Sequence, residues 1–194
     1  MIIRKSEPIN IIDLYWLSGL SLVIGGFLAT IGWIGFALVD PKHQQTQKRH
    51  WFPLNLCVIV GGLLMSLGLP GFYIQQAQDA GLWGLIGFVL LYIGLVLSHL
   101  AVHSIETVSM PNVPRMMFHF VSVAAPSLFL GIFITGIVTW SNDVYPQSLG
   151  IMITLAAIVG LLTIVRGVPA WLGRNLASCL FPISMVWAGI LLLI

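Results

Sequence analysis

Six long apolar runs, separated by short polar stretches, organise this chain: residues 14–39, 51–74, 82–103, 116–140, 147–165 and 175–194. Crossing the hydrocarbon core of a bilayer takes about 20 apolar residues in a helix. Only helices and closed barrels satisfy every backbone group in lipid. The runs are continuous rather than alternating with period two, which favours helices over barrel strands. The pattern therefore predicts an all-α integral membrane protein, a six-transmembrane-helix bundle forming one transmembrane domain over residues 1–194. The first run is too long for a signal-peptide core and no A-x-A site follows it, so it is expected to remain as the first span.

Composition agrees. Apolar residues make up 58% of the 194 and charged residues 7%, and the mean hydropathy is +1.01. A soluble domain carries roughly 25% charged residues, so the lipid bilayer is the expected solvent. The net charge of +2 and the scattering of basic residues among loops give no footprint for nucleic acid. Cys57 and Cys179 sit inside apolar runs and read as small packing residues.

Six of the eight basic residues, Lys42, Lys48, Arg49, Arg115, Arg166 and Arg174, fall between runs 1–2, 3–4 and 5–6. Basic loops stay in the cytoplasm, so both termini are expected outside. Trp16, Trp51, Trp83, Trp140 and Trp171 lie near the ends of runs, where aromatic anchors belong.

Two regularities recur. Gly25, Gly26, Gly32 and Gly35 are matched 36 residues later by Gly61, Gly62, Gly68 and Gly71, which reads as shared close-packing chemistry. Ser66–Pro70, Ser122–Pro126 and Ser178–Pro182 follow one another at 56-residue intervals. Val113–Pro114 and Val168–Pro169 open the fourth and sixth runs. Three related helical hairpins or chance would both produce this. Each proline frees the carbonyl of its serine and should bend its helix, and bent helices could open a cavity.

Chemistry centres on histidine. His43 and His50 lie in the basic loop. His99, His103 and Glu106 share one helix face by their spacing, and His119 re-enters at similar depth on the next helix. One reading is a metal site of His99, His103, Glu106 and His119, ligands suited to zinc. Another is haem b between His99 and His119, with Arg115 among the basic residues that would pair with its propionates. A third leaves these as interfacial histidines bonded to loop carbonyls. No catalytic residue is assigned. The spans carry no central charge, unlike proton-coupled transporters, and there is no P-loop or nucleophile elbow.

The stretch from Gly68 to Leu95, with its Gly68-Leu-Pro70, Tyr73, short polar turn and Gly-rich following helix, resembles small six-helix membrane proteins of bacteria whose function is uncharacterised. It covers about a seventh of the chain. The resemblance implies a bacterial inner-membrane protein and carries over no functional residue.

Three functional expectations follow. The first is a non-enzymatic protein binding a small ligand or cofactor at the cytoplasmic ends of helices 3 and 4, as a sensor or as a subunit with membrane-protein partners or further copies of itself. The second is a permease for a neutral or apolar molecule. The third is a purely structural subunit, which would expose a glycine-rich face.

Overall fold

The computed structural model describes residues 11–38, 48–99, 115–162 and 170–194. The described residues are helical except for a turn at 142–146 and Ile194. The helices are α1 (Ile11–Leu38), α2 (Lys48–Val96), α3 (Arg115–Ser141), α4 (Gln147–Leu162) and α5 (Ala170–Leu193). Among the described residues, four stretches are long and apolar enough to cross a membrane: Ile11–Leu38, Phe52–His99, Ser122–Ser141 and Leu176–Leu193. α4 is apolar but shorter, at 16 residues, or about 24 Å.

The sequence pattern puts a break over residues 75–81, and the structure narrows it to one residue. Gln75 to Ala80 continue the helix, because Gln and Ala are good helix formers. At Gly81 the backbone turns to φ 54°, ψ −149°, a conformation essentially reserved for glycine. There the two arms of α2, residues 48–80 and 82–96, fold back on each other. Tyr73 stacks on Phe88 with centroids 4.7 Å apart, and further along the His99 ring reaches Gly62.

Each helix packs on its chain neighbours, and α5 returns to α1 to close a ring. Glycine sets the spacing, as lipid-embedded helices require. A Cβ on Gly25 would stand 2.7 Å from the Gly61 carbonyl oxygen, and one on Gly189 would stand 2.6 Å from that of Gly19. The 36-residue glycine offset is not a pairing rule. α1 and the first arm run antiparallel, so Gly32 meets Leu54 and Val58, while Gly68 meets Ser18 and Leu22. Apart from Gly81, every glycine whose surroundings are described faces a close neighbour. This leaves none of them for the exposed glycine-rich face that a structural subunit would present.

Leu22, Met65, Leu69, Leu91, Ile132, Ile153 and Met185 fill the centre. Ile24, Phe27, Leu67, Leu85, Leu155 and Ile190 are exposed, so the helices are apolar outside as well as in. Trp16, Trp83 and Trp140 are exposed near the helix ends around Gly81, where interfacial tryptophans would anchor a bundle.

Pro53, Pro70, Pro126 and Pro182 all lie inside helices. The Ser66 hydroxyl does not serve its own carbonyl: it donates to the Gly62 carbonyl at 2.9 Å. Pro182 has a packing role, since its carbonyl oxygen is the group that a Cβ on Gly26 would meet at 2.6 Å. The Val113–Pro114 and Val168–Pro169 pairs lie outside the described residues.

Candidate functional site

His99 ends the second arm of α2, where the helix widens to a π turn over residues 97–99. Such turns recur at functional sites. The residue is 6% exposed. Its Nδ1 lies 2.9 Å from the Leu95 carbonyl oxygen, the acceptor that the backbone N–H of residue 99 would use in a regular helix. A carbonyl only accepts, so Nδ1 carries a proton, and in a neutral imidazole Nε2 is then the lone-pair nitrogen. Metal-binding histidines are commonly oriented by this kind of bond to a backbone carbonyl.

The ring is seated on the first arm at Gly62, where a Cβ would stand 2.7 Å from Nε2. Asn55 precedes Gly62 by two helical turns and shares its face. It is 5% exposed, and its Oδ1 accepts no hydrogen bond among the described residues. Sequence reading missed Asn55, although a lone carboxamide inside an apolar run is the signal that could have found it.

The remaining candidates are not brought into view. His103 and Glu106 lie outside the described residues. Arg115 and His119 belong to the first turns of α3, but their side chains lie outside the description. Among the described residues no three His, Cys, Asp or Glu form a metal-holding group, and of the four expected ligands only His99 is within that set.

A second polar cluster, unforeseen from the sequence, lies at the Gly81 end. Gln76 Oε1 accepts from Thr139 Oγ1 at 3.1 Å and from Asn142 Nδ2 at 2.9 Å. Asn142 also shapes the turn into α4: its Oδ1 accepts from the Val144 backbone N–H at 3.3 Å. That turn places Tyr145 against the first arm, stacked on Phe72 at 4.9 Å and donating to the Gln75 side-chain oxygen. Burial, and then the neighbouring Tyr15, push the Tyr145 hydroxyl well above the usual phenol range. Thr135, Thr139 and Asn142 occupy one face of α3 at i, i+4 and i+7, a spacing that was available in the sequence.

No protein-family model, curated protein or solved structure matches the chain.

Proposed function

We propose that this chain is a six-span bundle of the bacterial inner membrane that binds a small ligand or cofactor at the His99 end. It would act there as a sensor or as a subunit of a larger membrane assembly. The observation that carries the reading is His99 itself, an imidazole buried in an apolar bundle with Nδ1 held on the Leu95 carbonyl, an orientation in which Nε2 of the neutral ring would be the ligating nitrogen. Ionisable groups within membrane spans are costly and mark function by default. Asn55, two helical turns from Gly62 on the same face and with a buried Oδ1 that has no partner among the described residues, would offer a hard acceptor. Imidazole nitrogen with an oxygen ligand suits zinc or a similar cation. Nε2 alone suits haem iron, with His119 as the opposite axial ligand. His103 and Glu106 would complete a metal set, and Arg115 would pair with a haem propionate.

Three supports bear on location and span count. The fold-back at Gly81 divides α2 into two arms, which supports a count of six. The basic loops favour the His99 end in the cytoplasm and both termini outside. The resemblance of Gly68–Leu95 to small bacterial membrane proteins favours the inner membrane.

The test is the content of bound metal and chromophore in detergent-purified wild type, His99→Ala and His119→Ala. The reading predicts a bound species that is lost in His99→Ala. A species retained in both variants sinks it.

A further inference from the structure

We propose that one water molecule binds between the two arms of α2 and α3, bridging the Thr135 hydroxyl and the Gln76 carboxamide nitrogen. The site is a cavity bounded by Leu69, Gln76, Phe88, Leu91, Thr135 and Val138, with about 10 Å³ of space for the centre of a water-sized sphere. That is the least volume that holds a single water.

Thr135 supplies the decisive observation. It is 5% exposed, and its Oγ1 has no partner among the described residues. Thr139 donates to Gln76, while two other helical threonines return their hydroxyl to the carbonyl four residues back, Thr30 to Gly26 at 2.7 Å and Thr154 to Gly150 at 2.8 Å. This local bond is the ready solution in an apolar environment, and Thr135 forgoes it.

Gln76 supplies the other end. Its Oε1 already receives Thr139 and Asn142, so the carboxamide N–H groups are its remaining hydrogen-bonding capacity. Water accepts from that N–H and bonds the Thr135 hydroxyl, meeting the two-partner minimum for a buried water. Leu69, Phe88, Leu91 and Val138 supply apolar walls around it. The bridge extends the Asn142–Gln76–Thr139 network one turn deeper and ties both arms of α2 to α3.

Thr135→Val keeps the shape and removes the hydroxyl, so the sign of its effect is diagnostic. With the bridge, the unfolding temperature of the full chain in detergent falls by roughly 2–5 °C, and Thr135→Ser retains most of the wild-type value. A lone unsatisfied hydroxyl predicts the opposite, because its removal is then stabilising, and a rise in Thr135→Val would overturn the proposal. High-resolution density of the wild type decides independently of how the variants fold. A peak within hydrogen-bond distance of both Thr135 Oγ1 and Gln76 Nε2 supports the water, and a dry cavity refutes it.

Discussion

The His99 ring occupies the space that a side chain at position 62 would need: a Cβ on Gly62 would stand 2.7 Å from Nε2. The two residues belong to opposite arms of one hairpin, so glycine at 62 allows the imidazole to lie inside the bundle. Gly62→Ala must displace the ring or part the arms. Overpacking of this kind costs about 1–3 kcal/mol. We expect a lower unfolding temperature together with weakened binding at the His99 site. Wild-type stability and binding in Gly62→Ala would mean that the ring is not held there.

Gly81 is constrained differently. A Cβ at this position meets nothing within 4 Å, so space is not the difficulty. The backbone angles, φ 54° and ψ −149°, are strained for any other residue, at a cost of about 1–3 kcal/mol. Gly81→Ala should therefore lower the unfolding temperature, whereas Ala80→Gly should not reproduce the loss through strain. Thermal unfolding of the two variants in detergent separates them.

Much of the helical framework is legible in the sequence because lipid demands long apolar runs: 116–140 lies within α3, and the run 14–39 lies within α1 up to its last described residue, Leu38. The α2 hairpin was less legible. Polarity at Gln75, Gln76, Gln78 and Asp79 looks like a loop, but helix propensity carries the helix to Ala80 and glycine alone makes the turn. Glycine positions announce close packing without naming partners, since only the antiparallel geometry brings Gly25 to Gly61 rather than Gly32 to Gly68. The Gln76–Asn142 bond joins residues 66 positions apart, which no local pattern reveals. His99 stood out because an imidazole is rare in an apolar run, whereas its anchoring on Leu95 and Gly62 depends on a π turn and a fold-back that periodicity does not encode.

Tyr145 makes stability depend on pH in the alkaline range. Its folded-state value is raised above the ordinary 10.0, so the folded chain holds the phenol proton more tightly than the unfolded one. The contribution is fully present below pH 10 and is lost as pH rises beyond it. The protonated hydroxyl is also the form that donates to Gln75. Unfolding midpoints measured from pH 8 to 12 should fall more steeply for wild type than for Tyr145→Phe. Parallel curves would contradict the burial of this hydroxyl.

The proposed arrangement of six spans with both termini outside would put the 142–146 turn outside and residues 39–47 in the cytoplasm. In a Cys57→Ser, Cys179→Ser background, Asp143→Cys should react with a membrane-impermeant maleimide on intact cells. Thr46→Cys should react only after lysis. The reverse pattern would invert the bundle, and equal labelling of both sites would require an even number of spans between them.

The central claim is that His99 presents a lone-pair nitrogen to a bound cofactor or metal. Its most direct test is the absorption spectrum of the purified wild type and His99→Ala, oxidised and then reduced, with elemental analysis of the same samples. The account predicts either a Soret band with reduced α-band structure or a stoichiometric colourless metal in the wild type, and its loss in His99→Ala. A featureless, metal-free wild type from cells supplied with haem and metals, or a species unaffected by His99→Ala, would contradict it.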